Sequence, residues 1–249
     1  MKPVGIVKIG SSNTGLLIAA SLSQPILRVN HLVDLKTPAN WPELADVLAS
    51  YRVRCQESQV ASGLVAGGEI FRRHREIRQL VLDQGWPLWE VSGKLEGQLT
   101  WFAVRSRDPA VDVVIDVGGG STEIIYQSDA VSIPIGAANV TGEVDWPVIA
   151  NGQRAALVGG TAYVLSRLAG TATMDPKQLA KAIDQVLEGS SSSVWRSLEV
   201  PRQKLVIGGA KILKSLLKNY QFSQFSVSPW GYTEGLWMAA SLGRARPLW

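Results

Sequence analysis

The sequence predicts an α/β fold made of two similar halves with a ligand site between them, and three observations predict it. The first is the stretch VVIDVGGGSTEIIY, residues 113 to 126. Val113, Val114, Ile115 and Val117 are β-branched residues that suit a buried strand. Asp116 lies among them, where a charge is costly without a partner. Gly118, Gly119 and Gly120 follow with no side chains, so backbone N–H groups can approach a ligand closely. Ser121 and Thr122 add hydroxyls, Glu123 adds a second carboxylate, and Ile124 to Tyr126 resume a strand. A structural turn needs one or two glycines and no buried acid. This one suits an anion with a metal or water beside it.

The second observation is an echo. VKIGSSNTGLLI from Val7 repeats the order of IDVGGGSTEIIY from Ile115. Lys8 falls on Asp116, Gly10 on Gly118, Thr14 on Thr122 and Gly15 on Glu123, with Ser11, Ser12 and Asn13 as the small turn residues. Two strand–glycine turn–strand hairpins, one opening each half, point to a duplicated architecture. The third observation is that the intervening stretches alternate between helical and extended apolar spacing.

Taken in order, Leu16 to Ala20 continues the first hairpin as its second strand, and Pro42 to Ser50 and Glu69 to Asp83 read as amphipathic helices. In the latter, Ile70, Phe71, Ile77, Leu80 and Val81 recur at helical spacing, and FRRHRE forms a solvated face. Leu88 to Val91 reads as a short strand, Leu95 to Val104 as the start of a helix, and Asp108-Pro109 as the boundary into the second half. Asp175-Pro176 begins a helix that runs to Glu188-Gly189, and Ser190 to Ser193 is a loop. Lys204 to Ile207 reads as a strand ending at Gly208-Gly209, with a helix after it. Val227 to Tyr232 leads into a last helix through Leu242.

Bulk properties narrow the function. At 249 residues and 46% apolar composition, the chain can form one large domain or two modest ones with real cores. Its net charge of +4 favours anionic ligands mildly and falls far short of a dedicated nucleic-acid binder. The single cysteine, Cys55, excludes an internal disulfide framework and fits a reducing compartment. The apolar run at Leu16 to Ala20 is too short for a signal-peptide core or a membrane span, so the expectation is a cytoplasmic protein without a membrane partner. His31 and His74 lack metal-ligand spacing, and the nine tryptophans, Trp230 and Trp237 included, read chiefly as packing residues.

On these residues the chain resembles the exopolyphosphatase and guanosine pentaphosphate phosphatase (Ppx/GppA) family, of the actin-like, ribonuclease-H-like ATPase superfamily. IDVGGGSTE is the strongest match. KIGSSNT stands where the family's opening phosphate loop reads roughly D-x-G-S-N-S, and SGKLEGQ from Ser92 where it reads SGEEEAR. PIGAANVTGEV, LVGGTAYVLSRLAG, VIGGAKILKSLL and VSPWGYTEGLW are similar to later landmarks in the same order, so the resemblance spans nearly the whole chain. It implies two ribonuclease-H-like subdomains, 1–110 and 111–249, with a cleft between them and the last helix able to pack back on the first. It also implies removal of a terminal phosphate from polyphosphate or a guanosine polyphosphate, with no nucleic-acid partner; a homodimer is compatible with it.

The resemblance further assigns roles. Glu96 stands at the family's water-activating base, and Asp116 and Glu123 at carboxylates around Mg²⁺ or Mn²⁺. Phosphoanhydride hydrolysis needs such a base, a positioned water and neutralisation of the transferred phosphoryl charge. Phosphate donors would come from Gly10, Ser11, Ser12, Asn13 and Thr14, from Gly118, Gly119, Gly120, Ser121 and Thr122, and from Gly159, Gly160 and Thr161. Three departures stand out. Lys8 replaces the first loop's Asp, Gln98 replaces an Arg, and Thr233 replaces an Arg expected in GLREG. Lys8 either opposes a metal that Asp would attract or serves as the phosphate's own counter-charge. The alternative function is therefore a catalytically silent sensor of phosphoanions or nucleotides; a kinase of the same superfamily would want an acid at position 8.

Overall fold

A computed structural model describes residues 2–126, 129–142, 144–148, 154–244 and 246–248. The chain divides into two compact units, residues 1–99 with 232–249 and residues 100–231. The first unit opens with an antiparallel meander of β1 (Val4–Ile9), β2 (Asn13–Ala19) and β3 (Leu27–Leu32). Alternation along β1 sends Val7 to one face of the sheet, with Leu16 and Val65, and Val4 and Ile6 to the other, with Leu17 and Leu64. The first face packs on α1 (Trp41–Glu57), which outruns the expected Pro42–Ser50 because Tyr51 and Cys55 extend its buried stripe. Burial pushes the Cys55 thiol up to about 11, so it stays protonated and inert.

β4 (Ser62–Gly67) then runs parallel to β1. The expected single helix over Glu69–Asp83 is two, α2 (Glu69–Arg73) and α3 (Arg75–Asp83), broken at His74 (φ −130°, ψ 89°). The break lets Ile70 and Phe71 on one piece, and Ile77 and Val81 on the other, reach the same core. β5 (Leu88–Glu90) pairs with β4, and α4 (Gly93–Arg107) begins where the Ser92 hydroxyl accepts the Leu95 N–H.

The second unit repeats the plan. β6 (Val113–Val117), β7 (Thr122–Tyr126) and β8 (Asp129–Ile133) form a meander, and β9 (Arg154–Val158) runs parallel to β6. α5 (Gly160–Ala169), β10 (Thr173–Met174) and α6 (Pro176–Leu187) follow, α6 starting at a reciprocal cap between Asp175 and Gln178. The expected loop at Ser190–Ser193 runs into a one-turn helix, α7 (Ser193–Arg196), capped by the Ser192 hydroxyl.

One expectation is overturned outright. Lys204–Ile207 is not a strand but part of α8 (Val200–Asn219), which begins with Pro201 in its first turn. Gly208 and Gly209 do not end a strand. A Cβ on Gly208 would collide with the Ala137 carbonyl, and one on Gly209 with Thr161, so both glycines serve close packing of this helix. β11 (Gln224–Val227) then joins β9 in parallel.

The chain finally returns to the first unit with α9 (Tyr232–Ala239) and β12 (Arg246–Pro247), which pairs with β4. α9 stops short of Leu242. A π turn over Ala240–Arg244 follows, with Gly243 at φ +106°. Each unit thus holds a six-stranded mixed sheet, ordered β12-β4-β1-β2-β3 (β5 also on β4) and β10-β11-β9-β6-β7-β8. No described helix is long and apolar enough to cross a membrane.

Candidate active site

The two hairpins have the same register. Lys8 faces Gly15 and Ile9 faces Thr14 in one; Asp116 faces Glu123 and Val117 faces Thr122 in the other. Each turn closes alike, with Gly10 N–H donating to Asn13 O and Gly118 N–H to Ser121 O, both at 2.9 Å. In each unit a parallel strand then delivers a glycine pair beside the turn: Gly67-Gly68 after β4 and Gly159-Gly160 after β9. The Gly67-Gly68 pair was not among the expected site residues, although AGGE and VGGT are legible as the same signal.

In the second unit the turn is held from behind. Gly118 O accepts Ala137 N–H (2.8 Å), Gly119 O accepts Ala138 N–H (2.9 Å), and Gly120 O accepts the Asn139 amide (3.3 Å). A trans peptide points its N–H opposite to its C=O. The N–H groups of Gly119, Gly120 and Ser121 therefore face away from the 136–139 loop, and none donates to another described residue. Such a row of N–H groups can donate hydrogen bonds to the oxygens of an anion. That packing loop is the start of the PIGAANVTGEV motif, whose Glu143 lies outside the described residues.

Asp116 is half-buried beside this turn, its Oδ1 lying 3.4 Å from where a Cβ on Gly159 would stand. Gly159 has φ +97°, which glycine adopts freely, and caps α5, so the carboxylate sits at a helix N-terminus that favours negative charge. Glu123 is only 6% exposed and its Oε1 accepts two hydroxyls, Ser121 at 2.7 Å and Ser132 at 2.9 Å. Thr122 donates to Ile135 O (2.7 Å), and Thr161 packs on Gly209. The hydroxyls of Ser121 and Thr122 thus brace the turn.

Arg202, from the first turn of α8, lies where a Cβ on Gly160 would be. Burial lowers its pKa, and it makes no hydrogen bond or ion pair among the described residues. Nothing in the sequence distinguishes this arginine from the exposed ones.

In the first unit, Lys8 projects from the middle of the sheet between Gly15 and Ala66. Its ammonium lies 5.4 Å from the Tyr232 ring centroid. Glu96, in the first turn of α4, brings Oε2 within 2.8 Å of where a Cβ on Gly68 would stand. Arg72 borders the same glycine and donates to Val91 O at 2.6 Å. Burial, then the Glu96 charge, raise the Tyr232 pKa well above its ordinary value, with Arg72 opposing. Ser11 O accepts Leu35 N–H (3.0 Å), fixing the Gly10–Asn13 turn, while Thr14 Oγ1 is buried without a hydrogen-bond partner among the described residues. Next to Tyr232, Glu234 is 2% exposed and paired with Arg28 of β3. Trp237 donates to Ala19 O and is a core residue.

Among the described residues no group of three or more His, Cys, Asp or Glu could hold a metal. The Asp116–Glu123 pair is oxygen-only, and Mg²⁺ commonly takes one or two carboxylates plus substrate phosphates, so the donor set fits.

No protein-family model and no curated protein matches the chain. Solved structures do. A Ppx/GppA family member from Aquifex aeolicus aligns at TM-score 0.76 and 22% identity, covering 96% of this chain and 97% of its own. An exopolyphosphatase from Cytophaga hutchinsonii aligns at TM-score 0.81 and 15% identity, covering 97% and 98%. An exopolyphosphatase-like protein aligns at 0.80 and 16%, covering 96% and 98%. Likeness at these identities establishes fold. With a mixed sheet and helices in each of its two units, this chain has the two-subdomain, actin-like ATPase fold of the Ppx/GppA structures.

Proposed function

We propose that this chain is a phosphohydrolase that removes the terminal phosphate from inorganic polyphosphate or guanosine pentaphosphate in the cytoplasm. The observation that carries the reading is the Gly118–Ser121 turn. The carbonyls of Gly118, Gly119 and Gly120 are engaged from behind, and the N–H groups of Gly119, Gly120 and Ser121 turn away from that packing, beside a strand-borne carboxylate. That is a phosphate cradle with an acid next to it. Gly159, Gly160 and Thr161 add the N-terminal N–H groups of α5, and Arg202 adds a desolvated cation for phosphoryl oxygens. In the first unit, the Gly10–Thr14 turn and Lys8 would bind further phosphates. Glu96 would accept the proton of the attacking water, the role of a general base.

Asp116 and Glu123 would hold Mg²⁺ or Mn²⁺, which when bound neutralises charge on the phosphoryl oxygens. Asp116 is the better placed of the two, since Glu123 Oε1 already accepts two hydroxyls. The second reading, a phosphoanion sensor without turnover, is favoured by Gln98 and Thr233 standing where the family has arginines, and by Lys8. Phosphate release from polyphosphate, guanosine pentaphosphate and ATP, with Mg²⁺ or Mn²⁺, separates the two. Hydrolysis of either of the first two substrates, lost on metal removal, is the expected result. Binding with no release of phosphate would leave the sensor.

A further inference from the structure

We propose that Tyr232 is a positioning residue whose ring holds the Lys8 ammonium as a fixed counter-charge beside the Gly10 turn, so that the chain binds a phosphoanion without a divalent metal. The proposal rests on the phosphoanion reading above and deepens it by assigning anion affinity to a built-in cation.

The backbone makes room for this arrangement. Lys8 is flanked across the sheet by Gly15 and Ala66, two small residues, with the Asn30 side chain lying over Gly15. It leaves the same face of β1 as Val4 and Ile6, the face that α9 covers with Tyr232, Leu236 and Trp237. A lysine at a strand end ordinarily extends its head into water. Here the head lies over an aromatic face at 5.4 Å, within the range of a cation–π contact. The stem runs along the turn, since a Cβ on Gly10 would stand 4.0 Å from Lys8 Cε. A charge held there is at the place where the hairpin would present its N–H groups to an anion.

Tyr232 is more than filler. It is 3% exposed, and its hydroxyl is buried with no hydrogen-bond partner among the described residues. Burying an unpartnered hydroxyl destabilises a fold, so what this position contributes is the ring, which faces Lys8. A Leu in that position would fill the core without offering a π face. The hydroxyl also stays protonated, because burial and the Glu96 charge raise its pKa. The contact with Lys8 is therefore that of a neutral aromatic face.

The test is calorimetric titration of the full chain with inorganic tripolyphosphate, in EDTA and in Mg²⁺, for the wild type, Tyr232→Phe, Tyr232→Leu and Lys8→Met. The proposal expects wild-type binding in EDTA. Tyr232→Leu should weaken it roughly 2- to 30-fold, the span of a cation–π contact, while Tyr232→Phe restores it. Lys8→Met should weaken it at least as much as Tyr232→Leu does, and adding Tyr232→Leu to Lys8→Met should cost nothing further; where Tyr232→Leu folds poorly, the Lys8→Met and Tyr232→Phe affinities decide. Wild-type binding only with Mg²⁺ overturns the proposal and leaves the phosphoanion reading standing. So does a folded Tyr232→Leu with wild-type affinity, or a Tyr232→Phe as weak as Tyr232→Leu. No binding under either condition overturns the phosphoanion reading as well.

Discussion

At one register position the central strand of the first sheet carries Lys8 opposite Gly15, whereas that of the second carries Asp116 opposite Glu123. The backbone around them is the same: a glycine closing a four-residue turn at 2.9 Å, then a parallel strand ending in a glycine pair. The chemistry is opposite, and each unit imports the charge its hairpin lacks. α4 brings Glu96 to the first unit's Gly68, and α8 brings Arg202 to the second unit's Gly160. The duplicated backbone thus fixes where ligands can be approached, and the side chains decide which charge meets them.

The cost differs too. Two carboxylates at directly paired strand positions on one face repel each other. The second unit relieves this with the Ser121 and Ser132 hydroxyls on Glu123 and the α5 N-terminus beside Asp116. The first unit has no like-charge pair to relieve at this position, because Gly15 opposite Lys8 carries no side chain and the neutral Asn30 side chain lies over it.

The largest expected effect breaks the first unit's acid. Glu96→Gln should lower turnover about 10²–10⁴-fold, the usual contribution of a general base, with tripolyphosphate affinity retained. An equal loss of affinity and turnover would make Glu96 a ligand-holding or structural residue. The next effect addresses the second unit's cation. Arg202→Met should weaken tripolyphosphate binding by about 1.5–3 kcal/mol, the range for a charged hydrogen bond. It should also leave thermal stability unchanged or higher, because a half-buried charge without a partner among the described residues is removed. Unchanged affinity, or a fall in stability alone, would make Arg202 a packing residue over Gly160.

Much of this was legible from sequence, and what was not has a physical reason. The hairpins could be aligned because strand alternation and glycine turns leave a direct trace, and the aligned positions prove to be register equivalents. The helix at Asp175-Pro176 announces itself by its cap. Lys204–Ile207 misled because Val206, Ile207 and two glycines resemble a strand and turn. Only the Ala137 carbonyl and Thr161 side chain pressing on Gly208 and Gly209 reveal a close-packed helix. Arg202 carries no local signal, and the FRRHRE and VSPWGYTEGLW stretches do not single out Arg72 or Tyr232. Their meaning comes from what the fold sets beside them, which is Gly68, Gly160 and Lys8.

The difference between the hairpins can be tested by reversing it. Lys8→Asp gives the first hairpin the acid that the second already has, and the measurement is tripolyphosphate affinity with EDTA and with Mg²⁺. Affinity in EDTA should fall by at least the roughly tenfold expected for losing a charge-assisted hydrogen bond, and Mg²⁺ should recover most of it. Identical affinities for Lys8→Asp and the wild type under both conditions would contradict the assignment of Lys8 as the counter-charge of the first hairpin.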